Sequence, residues 1–339
     1  GFVNTANGTP KGVFTRNQFG YSLGGHIIKD KLFFFSSTEW TRVRSTGDNI
    51  VVVPTPQLLA ASAPATQAFF GGFSLKTPIN GAVYTAGQLG ITGVPAGLPA
   101  FGQVFYSVPT DLGAGNPQNT YSTNNRIDWN ISNNTQLYGR YALTNSTLFP
   151  GTVNTSPWVG FDTGQTTFDQ NYQVNLTHTF SSRFVSQSKL VYNRLNLQQP
   201  LGAAPAGPTL YLNPSTTGVI QGFPVALPGY SEFTPGNAIP FGGPQNLLQG
   251  YEDISYLRGN HQFRIGGQFL YVQDNRAFGA YEEAVEALGT SNSSASLNNL
   301  VAGQLKSFQA AVFPQGKFPG ATLTLPVSAP NFTRSNIYK

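Results

Sequence analysis

Within the stretch NQFGYSLGGHIIKDKLFFF, residues Gly20, Ser22 and Gly24 have the G-x-S-x-G spacing of a serine-hydrolase nucleophile elbow, with His26 two residues further on. That chemistry needs a buried apolar strand before the serine and a helix after it, so that the serine oxygen stands on a strained turn. Neither flank fits. Thr15-Arg16-Asn17-Gln18 precede Ser22, and Lys29-Asp30-Lys31 turn the chain into a second extended run.

The remaining reactive residues are scattered. His26, His178 and His261 fall on separate predicted strands with no H-x-x-x-H pair, so metal ligation would need chance convergence, and an interfacial role suits His178 and His261 better. Glu282-Glu283, with Glu286 a turn later, read as a solvated loop face, because hydrolytic carboxylates need a shaped pocket. No cysteine is present, which removes disulfides, thiolate nucleophiles and cysteine-ligated zinc. No glycine-rich phosphate cradle follows a strand and opens a helix. The reading is of a non-enzyme with no catalytic residue, no metal site and no cofactor.

The elements that carry these residues are unusual in composition. Only 10% of the 339 residues are charged, while 38 Gly and 24 Pro lie among many Asn, Ser, Thr and aromatic residues. No apolar run is long enough for a transmembrane helix, so a membrane protein of this composition must cross with strands closed into a barrel. The net charge of +5 is spread thinly with no basic run, which argues against nucleic acid as a partner. With no Met and no signal-like start, the chain is expected to be an internal piece of a longer one.

Alternation divides the sequence into four strand pairs at about 17–44, 121–144, 167–195 and 247–273. In the first strand Phe19, Tyr21, Leu23 and Ile27 alternate with Gln18, Gly20, Ser22 and Gly24; the third pair is the cleanest, with Tyr172, Val174 and Leu176 against Asn171, Gln173 and Asn175. Leu32-Phe33-Phe34-Phe35 is apolar on both faces, so the register of the second strand is not fixed by pattern. Short turns alternate with long Gly/Pro-rich segments at about 45–120, 145–166, 196–246 and 274–332. This asymmetry predicts an all-β, antiparallel transmembrane β-barrel, here a partial one of about eight strands with short periplasmic turns and long extracellular loops. A soluble β-sandwich or propeller with decorated loops is the competing architecture. Within the last loop, Tyr281–Leu288 and Leu297–Phe308 have helical spacing, and Asn336–Lys339 opens a ninth strand. The loops are expected to have reach without geometry.

Ser22, Arg126, Asp128, Arg140, Asp169 and Arg264 share the small or polar parity, which in a barrel faces the lumen. The opposite placement would put Arg against lipid at a cost of about 2–4 kcal/mol at midplane.

Three strings carry a family resemblance. Arg16-Asn17-Gln18-Phe19-Gly20 leading to Ser22-Leu23-Gly24-Gly25 and Ile28-Lys29-Asp30-Lys31-Leu32-Phe33-Phe34-Phe35 resembles the first barrel hairpin of Oar-like TonB-dependent outer-membrane receptors. Asn125-Arg126-Ile127-Asp128 with Gln136-Leu137-Tyr138-Gly139-Arg140-Tyr141 looks like the next hairpin, and Gly259-Asn260-His261 with Phe263-Arg264-Ile265-Gly266-Gly267-Gln268-Phe269 like a later one. His26 stands where the family usually has Pro. The resemblance covers most strands from 16 to 273 but little of the loops.

It implies a bacterial outer-membrane location, lipid around the wall, an unidentified extracellular ligand, and a plug domain and TonB as partners lying outside this chain. Residues 1–339 would then be one partial barrel domain without plug or signal peptide, roughly the first third of a barrel of about 22 strands. Arg126, Arg140 and Arg264 would either pair with plug carboxylates or pair with Asp128 and Asp169 within the wall. The glycines near Ser22 are read as leaving room for a plug. A structural or adhesive surface barrel without transport is the alternative function.

Overall fold

The computed structural model describes residues 12–113, 115–200, 209–213, 218–229, 241–278, 284–290, 294–309 and 335–338. Its wall is built from β1 (Phe14–Ile28), β2 (Leu32–Pro54), then, after a short β3 (Val83–Thr85) and β4 (Pro99–Pro109), from β5 (Gln118–Ser132), β6 (Thr135–Leu148), β7 (Gln165–Ser181) and β8 (Phe184–Gln199). Three more short strands, β9 (Thr209–Tyr211), β10 (Val219–Ile220) and β11 (Phe223–Pro224), precede the wall strands β12 (Phe241–Arg258) and β13 (His261–Asp274). The chain then forms β14 (Ala277–Phe278), β15 (Val285–Ala287), β16 (Ser307–Gln309) and β17 (Ser335–Tyr338).

The long strands form an antiparallel meander, β1-β2-β5-β6-β7-β8-β12-β13, in which each strand pairs with its neighbours in the series. The expected ninth strand is present as β17, paired with β13. All four expected hairpins form, and each is longer than alternation alone delimits. Their short turns have local causes. Asp30 adopts φ 60° and Gly259 φ 60°. Ser132 and Ser181 accept hydrogen bonds from the amides of Asn134 and Arg183, at 3.2 and 3.3 Å, fixing two tight corners.

β2 is the exception to the simple wall. Over Leu32–Val43 it pairs with both β1 and β5; over Thr46–Pro54 it leaves them and pairs with β4. That extension carries Val51, Val52 and Val53 into a hydrophobic core shared by all four long connections. Leu58, Phe70 and Phe101 come from the first connection, Trp158 and Phe161 from the second, Leu210, Leu212 and Val225 from the third, and Leu288, Leu297 and Leu300 from the fourth. Each large apolar side chain buried there contributes about 1.5–3 kcal/mol. Main-chain bonds also cross between connections: Ala226 donates to Val52, Lys76 to Pro157 and Ala63 to Val301, at 2.9, 2.8 and 2.8 Å. The expectation of loops without geometry is therefore wrong for the described residues, which fold into one outer domain.

Two helices in the first connection were not legible as periodicity. Helix α1 (Pro56–Ala61) is capped by Thr55, whose hydroxyl accepts from the Leu58 amide at 3.1 Å, with proline in its first turn; α2 (Pro64–Phe70) follows with proline likewise placed. In the fourth connection, 281–283 lie outside the described residues, and Val285–Ala287 is a strand rather than a helix. It pairs in parallel with β9 and antiparallel with β16, burying Val285 and Ala287 on alternate positions. The second helical expectation is shifted: α3 spans Ser294–Ala302 and stops at Gly303, which takes the left-handed conformation (φ 67°) that ends helices. No described helix is long and apolar enough to cross a membrane.

Candidate functional site

Directly opposed residues on antiparallel strands project to the same face, so the register assigns every wall side chain. Ser22 opposes Ser37 and Gly20 opposes Glu39; Glu39 opposes Ser122, and Phe35 opposes Arg126. Arg126 opposes Arg140, Arg140 opposes Gln173, and Thr144 opposes Asp169. Continuing through β8 and β12, the same face carries Lys189, Tyr251 and, opposite Ser255, Arg264. All six expected residues thus share one polar face, but they form no single cluster.

The register also resolves β2. Phe34 and Trp40 go to the apolar face, whereas Phe33 and Phe35 accompany Glu39 on the polar one. Glu39, which alternation left unassigned, lines a polar groove of ≈ 540 Å³ with Ser22, Ser37, Ser122 and Asn124. The smallness of Gly20 has a cause within the wall: a Cβ there would meet the Thr38 carbonyl oxygen at 2.3 Å. The neighbouring strand, rather than a visiting domain, accounts for that glycine.

The arginines divide. Arg126 forms a two-pronged pair with Asp128 at 2.6 and 2.8 Å and lies 4.1 Å from the Tyr138 ring centre. Arg140 donates to the Asn171 side chain at 2.7 Å and has no ion pair among the described residues. Asp169 accepts from the Asn196 amide at 2.9 Å instead of pairing with an arginine. Of the pairings within the wall, Arg126 with Asp128 forms and Asp169 with arginine does not.

The other face is apolar and bounded by aromatic rows. Near the short turns, Phe180 stacks on Phe184 at 4.7 Å, with His178 4.3 Å from Phe180 and Tyr256 beyond Phe184. Toward the outer domain, Tyr141, Tyr172 and Tyr192 make a row at 4.7 and 6.1 Å, and Phe19 stacks on Trp40 at 5.7 Å. His178 bonds Thr135 at 2.8 Å beside the turn. One carboxylate interrupts the band: Glu252, which opposes Ser188 and accepts hydrogen bonds from Ser186 and Ser188.

In the outer domain, burial pushes the Tyr106 phenol up to about 12 despite its hydrogen bond from Asn49. Burial also raises the Glu286 carboxyl, which stands at a cavity of ≈ 170 Å³ beside Leu210, Leu300 and Gly303. Lys76 bridges to Asp162 at 2.5 Å and ties the first connection to the second. Among the described residues no group of three or more His, Asp or Glu could hold a metal ion.

Long antiparallel strands with one polar face, one apolar face and aromatic rows at two levels make the wall of an outer-membrane β-barrel. The chain belongs to the outer membrane beta barrel domain family, whose pattern matches residues 1–319. It is therefore a protein of the bacterial outer membrane. Among solved structures it is similar to the outer membrane transporter YddB from Escherichia coli, at 10% identity and TM-score 0.42, covering 81% of this chain and 28% of that one. It is also similar to the toluene transporters TodX of Pseudomonas putida (14% identity, TM-score 0.23, 77% of this chain and 59% of that one) and TbuX of Ralstonia pickettii (12%, 0.19, 77% and 62%). The chain thus spans less than two thirds of each of these proteins. No curated protein matches it.

Proposed function

We propose that the chain is the wall and outer vestibule of an Oar-like TonB-dependent receptor that captures an extracellular ligand and moves it across the outer membrane. The observation that carries this reading is β2, which runs unbroken from the polar face of the wall into the core of the outer domain. A ligand-capturing domain and a transport lumen would then share one strand. In this reading residues 1–339 are one barrel portion, and the polar face is the lumen. Ser22, Arg126, Asp128, Arg140, Asp169 and Arg264 line it together with Glu39. Arg140, without a carboxylate in the wall, is the residue offered to an acidic group of the plug. Transport makes no covalent bond, so the protein needs no catalytic residue.

An adhesive barrel is the second reading, and the compact outer domain favours it, since a rigid projecting surface serves adhesion equally. The two separate on one measurement. Full-length protein extracted from outer membranes and shown to be folded by heat-modifiable gel migration should retain the purified periplasmic domain of TonB. Folded protein that retains none supports the adhesive barrel instead.

A further inference from the structure

We propose that the outer domain holds a binding site for an uncharged, flat, apolar small molecule, in the cleft between α1, the 73–83 segment and Trp158. The proposal rests on the receptor reading above for its biological purpose, but not for its geometry. The cleft has a volume of ≈ 840 Å³, within the range of about 300–1,000 Å³ that small-molecule sites occupy. Phe70, Phe73 and Trp158 line one side, with Trp158 and Phe70 5.7 Å apart, and Leu59, Leu75 and Ile79 add aliphatic surface. Phe70 and Trp158 are almost buried and form the floor, so a planar ligand would stack chiefly on half-buried Phe73.

The polar accounting defines what the ligand lacks. Among the described residues, none that lines the cleft carries a charge. The Thr55 hydroxyl is committed twice, accepting from the Leu58 amide and donating to the Pro99 carbonyl at 2.7 Å, and the Trp158 indole N–H donates to the Ala226 carbonyl at 3.0 Å. Pro54, Pro56, Pro78 and Pro99 bring rigid rings without an amide donor. Gln57, which is exposed, supplies the one side-chain amide among the described lining residues. An ionised ligand would lose hydration against a mainly apolar lining with no opposite charge to offset the loss, whereas a neutral aromatic with a single hydrogen-bonding group can bury its rings and meet Gln57.

The chain has no cysteine, so a thiol introduced at Val83, which lines the cleft and is 48% exposed, reports on occupancy. In full-length protein free of other reactive thiols, Val83→Cys is labelled with a maleimide in the presence of indole, its cationic relative tryptamine or its anionic relative indole-3-acetate. Indole at about ten times its Kd should slow labelling about tenfold. The two ions should protect far less, and a thiol at exposed Leu112, outside the cleft, should not respond. Phe73→Ala should weaken protection in the Val83→Cys protein. Equal or better protection by either ion overturns the proposal, as does protection by glucose but not indole. A Val83→Cys thiol that resists labelling without any probe overturns it too, because another segment of the chain would then fill the cleft. The assay reads binding alone, so it succeeds in a barrel that transports nothing, and its failure leaves retention of TonB to its own test.

Discussion

Arg126 and Arg140 stand directly opposite each other across the β5–β6 ladder, with both side chains on the polar face. Like charges so placed repel. Asp128, held in both prongs of Arg126, offsets that repulsion, while Arg140 turns to Asn171.

Asp128→Asn should therefore destabilise the folded wall by up to about 1 kcal/mol, a small figure because the pair is more than a third exposed. Adding Arg140→Gln should recover the loss by removing the opposed charge. The loss should also fade in about 1 M salt, where screening acts over about 3 Å. Urea unfolding of the full-length protein in detergent at low and high salt measures all three effects; a loss insensitive to salt would mean that Asp128 acts through packing rather than charge.

Gly20 and Gly267 make a matched pair for testing the wall. A Cβ at Gly20 would press on the Thr38 carbonyl, whereas at Gly267 it would meet nothing within 4 Å. Gly20→Ala should impair barrel assembly, seen as loss of the heat-modifiable band, and Gly267→Ala should leave the band unchanged.

Glu252 tests how the apolar face tolerates a carboxylate. Replacing Ser186 and Ser188 by Ala removes both hydroxyl donors and should destabilise the protein by about 1–3 kcal/mol. Glu252→Leu in that double variant should restore most of the loss, because a buried or lipid-facing polar group without partners is worse than an apolar side chain. Denaturation midpoints of the two variants decide it.

Glu286 makes the outer domain sensitive to pH. Burial raises its folded value above the ordinary 4.5, so the folded domain binds a proton that the unfolded chain has begun to lose. The resulting stabilisation is complete below the ordinary value and is lost as pH rises through the raised one. Protease resistance around β15 should accordingly decline as pH rises above the ordinary carboxylate value, and Glu286→Gln should flatten the decline.

The wall was largely legible because lipid on one side and polar surroundings on the other impose a period of two on every strand. Tyr172, Val174 and Leu176 against Asn171, Gln173 and Asn175 could be assigned to faces from sequence alone, and the register agrees. Where both faces are apolar, as at Phe33-Phe34-Phe35, pattern gave no answer, and the pairing of Phe35 with Gly24 and Arg126 supplied it. The outer domain was hidden for a different reason. Its core residues are single valines, leucines and aromatics dispersed over four Gly/Pro-rich connections, and only contacts between distant segments, such as Val52 with Val225, reveal them. The Thr55-Pro56 cap was present in the sequence as a helix-start signal; α1 is simply too short to show a repeat. Val285–Ala287 misled because a short apolar spacing suits a helix or a buried strand equally.

The continuity of β2 has a mechanical consequence. A beam anchored at one end among β1 and β5 and clamped at the other by β4 has no hinge between its supports. Thrust applied to the outer domain is delivered to the wall as bending and twist, and the Thr46–Pro54 ladder with β4 lies in that load path.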